Sequence, residues 1–124
     1  MKSYKLSFGI ISILRNNLAE VIVNEGVVMD EVMVDEYHDF LLSNLDAPLS
    51  ILINKTNSYS YTYEAQKALV SFNKIEVMAV FVDSNAGLMS TETLLSLKKD
   101  NNWDVKIFRT REDALFWLNE IVNV

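Results

Sequence analysis

The chain has 124 residues, half of them apolar, carries a formal net charge of −6 and contains no cysteine. This length suits a single domain spanning residues 1–124, because a chain of this size buries roughly two-thirds of its unfolded surface around one core. The missing cysteine excludes disulfides, thiolate metal ligands and cysteine nucleophiles. An acidic chain with scattered Lys and Arg is also a poor nucleic-acid binder, so we expect no nucleic-acid partner.

Hydropathy gives no indication of a membrane or export segment. No apolar run approaches the roughly 20 residues needed to span a bilayer. The apolar stretch 8–14 is followed by Arg15-Asn16-Asn17 rather than by a small-residue cleavage site. We therefore expect no transmembrane segment and a cytoplasmic location, with which the lack of cysteine also agrees.

Three short strands are predicted at the start of the chain. Residues 4–8 alternate apolar and polar side chains, and residues 10–14 are largely β-branched and apolar. Asn16-Asn17 predicts a turn, after which residues 19–23 form the third strand. The pattern predicts an antiparallel meander, and a homodimer formed through its exposed edge strand is one expectation.

The first long helix is predicted over residues 30–43. Five apolar side chains recur there at three- and four-residue spacing and share a face: Met29, Met33, Tyr37, Phe40 and Leu41. Four acidic residues form a candidate partner face on the remaining surface: Glu31, Asp35, Glu36 and Asp39. Carboxylates four residues apart repel by a few tenths of a kcal/mol. A basic partner protein would relieve that repulsion, and the alternative is a solvated face that aids solubility.

The rest of the chain alternates apolar runs with helical patterns. Strands are predicted over 48–54, 75–81 and 103–108, and helices over 62–72, 90–99 and from Thr110 onward. The order is β-β-β-α-β-α-β-α-β-α. It predicts an α/β fold with a mixed sheet, in which parallel βα units follow the antiparallel N-terminal meander.

This order of elements resembles the STAS domain, the fold of bacterial anti-sigma-factor antagonists, and the related STAS/SEC14-like domains of small bacterial proteins. The segments Glu36-Tyr37-His38-Asp39-Phe40-Leu41 and Trp103-Asp104-Val105-Lys106-Ile107-Phe108 are similar to segments of small flavobacterial proteins with no assigned activity. The resemblance implies a non-enzymatic regulatory domain that acts through a protein partner. The alternative it implies is a SEC14-like carrier of a small apolar or lipid-like ligand.

In STAS domains a kinase phosphorylates a hydroxyl of an Asp-Ser-Ser/Thr-Gly motif at the start of a helix. Ser60 and Thr62 lie about where the hydroxyls of that motif would be. The Asp and the Gly are absent, and Tyr61 and Tyr63 flank Thr62. Ordinary helix capping is the alternative role of these hydroxyls.

Two polar loops follow predicted parallel strands, at the sheet edge where open α/β folds bind ligands. The candidate ligand or partner residues in them are Asn57, Ser58, Ser60, Tyr61, Thr62, Asp83, Ser84 and Asn85. The alternating Tyr59, Tyr61 and Tyr63 predict one aromatic face, which either lines a groove or braces the loop against the acidic helix. The methionines serve either as core residues or as the lining of an adaptable apolar pocket.

Catalytic and metal-binding patterns are missing from the sequence. His38 is the only histidine, which excludes a multi-histidine zinc site, and there is no Gly-x-Ser-x-Gly elbow for a triad. We interpret His38 as a surface or edge residue. No catalytic residue, metal or cofactor is predicted, and a hydrolase built on Asp83 or Glu64 is the weakest hypothesis.

Overall fold

The computed structural model describes residues 1–96 and 104–122, which form eight strands and four helices. In chain order these are β1 (Lys2–Lys5), β2 (Gly9–Arg15), β3 (Leu18–Val23), β4 (Val28–Met29), α1 (Glu31–Asn44), β5 (Leu49–Lys55), β6 (Ser60–Tyr61), α2 (Tyr63–Ser71), β7 (Ile75–Val82), α3 (Asn85–Ser96), β8 (Asp104–Phe108) and α4 (Arg111–Val122).

Six strands form one mixed sheet in the order β1-β2-β3-β5-β7-β8. The β1–β2 and β2–β3 pairs are antiparallel, and every pair from β3 to β8 is parallel. This confirms the predicted fold class. The two-residue strands β4 and β6 were not predicted, and they pair in parallel as a separate small sheet.

Some element boundaries differ from the predicted ones. β1 covers residues 2–5 rather than 4–8, because the chain turns back where the Leu6 N–H donates to the Gly9 carbonyl at 2.8 Å. A side chain at position 9 would lie 2.0 Å from the Ile22 carbonyl oxygen, so only glycine fits there. α3 begins at Asn85 rather than Ser90, because the Ser84 hydroxyl accepts the Gly87 N–H at 3.0 Å. The predicted helix and strand segments at 97–99 and 103 lie outside the described residues.

The helices divide unequally between the two faces of the sheet. On the first face, buried side chains of α1 and α2 pack on the strands, together with the half-buried Leu88 of α3. The buried residues that the helices contribute to this face include Val34 and Leu41 of α1 and Ala65 and Leu69 of α2. On the second face, Ala114 and Leu118 of α4 pack on a smaller cluster from β3, β5 and β7. None of the helices formed by residues 1–96 and 104–122 is long and apolar enough to cross a membrane.

A polar cluster fixes α4 to the second face. Glu20 of β3 is only 5% exposed and accepts two hydrogen bonds from Arg111, at 2.6 and 3.0 Å, and one from Asn54 at 2.9 Å. Burial raises the pKa of Glu20, but the hydrogen bonds from Arg111 and Asn54 outweigh that effect and hold the pKa below its ordinary value. The buried carboxylate is therefore fully paired by the first residue of α4 and a residue of β5.

Candidate functional site

A buried lysine stands at the carboxyl end of the central strand β5. Lys55 is the last residue of β5, is paired in register with Val82 of β7, and is only 5% exposed. Because side chains alternate along a strand, it lies on the face opposite to Asn54 and its partner Glu20. Lys55 therefore lies on the first face, beneath α1, α2 and α3, where the polar cluster of the second face does not reach it.

The ammonium of Lys55 makes cation–π contacts with two aromatic rings. Its Nζ lies 4.7 Å from the ring centroid of Tyr59 and 5.2 Å from that of Tyr61. Within residues 1–96 and 104–122, no carboxylate pairs with it and no hydrogen bond satisfies it. Cation–π contacts offset part of the lost hydration. Burial nevertheless lowers the pKa of Lys55 from 10.5 to about 8.

An apolar cavity of about 40 Å³ lies between the sheet and the helices, next to Lys55. Met29 and Met78 line it together with Tyr37, Tyr59 and Tyr61. The Tyr37 hydroxyl is buried and, among the described residues, has no hydrogen-bond partner, whereas the hydroxyls of the other two tyrosines are 3.3 Å apart. Burial raises the pKa of all three tyrosines, that of Tyr61 to about 12, so these hydroxyls stay neutral.

A polar pocket of about 130 Å³ also has Lys55 in its lining. It is formed by the loop after β5 and by the loop and first turn of α3 after β7. The side chains and backbone that line it are those of Lys55, Thr56, Asn57, Ser58, Tyr59, Ser84, Ala86, Gly87 and Ser90. Lys55 and Tyr59 line both this polar pocket and the apolar cavity. The structure thus brings together the two post-strand loops that the sequence singled out.

Hydrogen bonds fasten the loop after β5 to the loop after β3. Asn57 Nδ2 donates to the Val23 carbonyl at 2.9 Å, and the Ser58 N–H donates to Glu25 Oε2 at 2.5 Å. Three backbone hydrogen bonds follow: Gly26 N–H to Ser58 O at 2.7 Å, Ser60 N–H to Val27 O at 3.0 Å and Thr62 N–H to Met29 O at 2.9 Å. The last two connect the paired strands β4 and β6. These bonds hold Tyr59 and Tyr61 over Lys55.

The predicted site residues fall into three groups. Asn57, Ser58 and Ser84 line the polar pocket. Tyr61 lines the apolar cavity. The other four lie outside both: Ser60 and Asp83 are exposed, Thr62 caps α2 by accepting the Ala65 N–H at 3.1 Å, and Asn85 accepts a hydrogen bond from Arg109 at 3.2 Å.

The predicted aromatic face holds for two of its three tyrosines. Tyr59 and Tyr61 face inward and their rings meet edge to face at 5.5 Å, whereas Tyr63 is 64% exposed at the start of α2. Of the four acids on the predicted partner face, three are exposed, namely Glu31, Asp35 and Asp39. Glu36 is half-buried and accepts hydrogen bonds from the backbone and the hydroxyl of Ser7.

The interpretation of His38 as a surface or edge residue is wrong. It is 8% exposed, its ring stacks on Phe72 at 3.8 Å, and among the described residues its Nε2 has no hydrogen-bond partner. Burial lowers the pKa of His38 to about 4, so the ring is neutral at pH 7. The spacing of Val34, Tyr37, His38 and Leu41 is the pattern of one buried helix face and would have placed His38 there.

Lys55 is the residue of the candidate site that the sequence analysis does not name, because the predicted strand ends at residue 54 whereas β5 extends to Lys55. The alternation of side chains along β5 would have predicted the burial of Lys55, since Ile51, Ile53 and Lys55 share one face of the strand.

Neither a metal site among the described residues nor a match to a known protein identifies the function of the site. Within the described ranges, no group of three or more His, Asp or Glu side chains comes close enough to hold a metal ion. No family model, curated protein or solved structure matches the chain. The STAS-like resemblance therefore rests on the order of elements, and the function that it implies stays a prediction.

Burying Lys55 should lower the stability of the fold, and this can be measured. We expect Lys55→Met to raise the free energy of unfolding by about 2 kcal/mol at pH 7, because it removes an uncompensated buried cation. The folded-state pKa lies below the unfolded one, so the gain is complete below pH 8 and shrinks as the pH rises from 8 toward 10.5. Urea unfolding at pH 7 and pH 10 measures both effects.

The matched control is Lys67→Met. Lys67 is exposed and its Nζ lies 5.0 Å from the ring centroid of Tyr63, so it has a similar aromatic contact without the burial. It should change the stability by less than about 0.5 kcal/mol. A Lys55→Met variant that is less stable than the wild type at pH 7 contradicts the description of this site.

Proposed function

We propose that the protein is a non-enzymatic binding domain for a small amphipathic anion. The observation that carries the proposal is Lys55, a cation at the junction of an apolar cavity and a polar pocket, with no carboxylate partner among the described residues. Buried charges are ordinarily paired, since isolated ones cost several kcal/mol. An anionic ligand would supply the missing charge. This favours the ligand-carrier alternative over the protein-partner one.

The polar pocket offers further groups to an anion. It includes Ser84, Ala86 and Gly87 around the first turn of the twelve-residue helix α3. The Gly87 N–H in this turn is already bound by the Ser84 hydroxyl. The positive partial charge at the start of the helix nevertheless attracts anions. Hydroxyls of Ser58 and Ser90 line the same space and are able to donate hydrogen bonds. These groups support the placement of a carboxylate or phosphate beside Lys55.

The apolar cavity limits the size of the ligand. Its volume of about 40 Å³ and the 130 Å³ of the polar pocket both lie well below the roughly 300 Å³ typical of sites for drug-sized molecules. Met29 and Met78 in the cavity wall are flexible enough to adapt to a short chain. We therefore propose a short-chain anion rather than a long-chain lipid.

Butanoate is a suitable probe, with butan-1-ol as its uncharged counterpart. Titration calorimetry should show butanoate binding at pH 7 that weakens at least tenfold by pH 10, because the Lys55 ammonium loses its proton as the pH passes about 8. Lys55→Met should weaken binding at least tenfold, and Lys67→Met should leave it unchanged. Butanoate binding that is equal in wild type and Lys55→Met, or absent at millimolar concentration, would overturn the proposal.

A second candidate function is recognition of a basic partner protein, which the surface of α1 favours. The apolar side chains of Val32 and Leu42 are 76% and 53% exposed there, alongside the exposed Glu31, Asp35 and Asp39. These apolar side chains would let the acidic face bind a basic partner through apolar contacts as well as through charge.

A charge-reversal variant tests this second candidate. A partner captured at near-stoichiometric yield by the wild type should be lost by Asp35→Lys/Asp39→Lys. The same partner should be retained by Glu64→Lys, which reverses an exposed acid on α2. Equal capture by all three proteins, or no capture, would argue against an α1 interface.

A further inference from the structure

We propose that Lys55 is also a nucleophilic amine, which forms a reversible imine with a small aldehyde or ketone that enters the polar pocket. The inference rests on the proposed binding function for the pocket, but it assigns a chemical reaction to it. It requires that the amine be reachable, that it be neutral for part of the time, and that nearby groups can bind a carbonyl oxygen.

The first requirement is access. The rim of the polar pocket contains Thr56, Ser58 and Ser84, which are exposed, whereas Lys55 in its wall is buried. The polar pocket is thus open to solvent at these exposed residues, and we place the route of a small molecule to Lys55 through it. No described carboxylate pairs with the amine or stands between it and the pocket.

The second requirement is a free electron pair on nitrogen. Tyr59 and Tyr61 place aromatic rings beside the amine, and the buried carboxylate of the sheet, Glu20, lies on the other face and is bound to Arg111. With a pKa of about 8, roughly a tenth of Lys55 is neutral at pH 7, against roughly one part in three thousand for an ordinary lysine. Lysines desolvated in this way are the ones that form Schiff bases in proteins.

The third requirement is a group that holds the carbonyl oxygen. Ser58 and Ser90 line the pocket, and their hydroxyls are able to donate to the carbonyl oxygen. The alkyl part of the molecule then lies toward the apolar cavity, on the other side of Lys55 and Tyr59.

The reaction is a balanced condensation. The nitrogen lone pair of Lys55 attacks the carbonyl carbon, the C–N bond forms, and one proton moves from nitrogen to oxygen to give a carbinolamine. The C–O bond then breaks, and the oxygen leaves as water with the remaining nitrogen-bound proton, which creates the C=N bond. Nothing is oxidised or reduced, and addition of water reverses both steps.

Reductive trapping tests the inference. The full chain is incubated with butanal and sodium cyanoborohydride at pH 7, and peptide mass mapping locates the N-butyl lysines. We expect Lys55 to be labelled at least tenfold faster than Lys67 and Lys74, which are exposed. In urea-unfolded protein the preference for Lys55 should vanish.

Butanoate separates this inference from the function on which it rests. If both proposals hold, butanoate slows the labelling of Lys55 and leaves that of Lys67 unchanged. Butanoate binding without preferential labelling of Lys55 overturns the imine and leaves the anion site standing. Preferential labelling without butanoate binding supports the imine and overturns the anion. A rate at Lys55 equal to that at Lys67 in the folded protein overturns the inference.

Discussion

The desolvation of one lysine is the constraint on which the rest of the candidate site depends. An ammonium at the end of a central strand loses most of its hydration, and cation–π contacts with Tyr59 and Tyr61 replace only part of it. The surrounding structure must therefore hold Lys55 in place against its preference for water. Hydrogen bonds donated by the Asn57 side chain and by the N–H groups of Ser60 and Thr62 do this, since they fasten the tyrosine loop over the lysine.

Among the described residues, the buried charge on the second face of the sheet is paired, whereas the buried charge on the first face is not. Asn54 and Lys55 are consecutive, so the alternation of the strand sends one to each face. On the second face, Asn54 and Arg111 satisfy the carboxylate of Glu20, and the resulting cluster fixes α4 to the sheet. On the first face the charge of Lys55 is left without such a partner among the described residues. Removal of one partner from the paired cluster would leave a buried charge, whereas the unpaired ammonium of Lys55 is the observation on which the proposed binding and imine formation depend.

Much of the fold was predictable from the sequence, because it depends on local periodicity. The N-terminal meander, the parallel βα units and the position of the two post-strand loops follow from alternation and apolar runs. The pairing of β4 with β6 was not predictable, because it depends on hydrogen bonds between segments more than thirty residues apart. The burial of Lys55 and His38 was not predicted, because polar side chains of these types are ordinarily exposed. Their spacing nevertheless places both residues on the apolar face of their element, where they are buried.

The most direct test of the account is the titration of Lys55 itself. In protein labelled with ¹³C at lysine Cε, the Lys55 resonance can be assigned by its loss in Lys55→Met and followed between pH 6 and 12 by NMR. The account predicts a midpoint near 8, with the exposed lysines titrating near 10.5. A Lys55 midpoint at or above 10.5 would show that the ammonium is hydrated or paired, and would contradict the account.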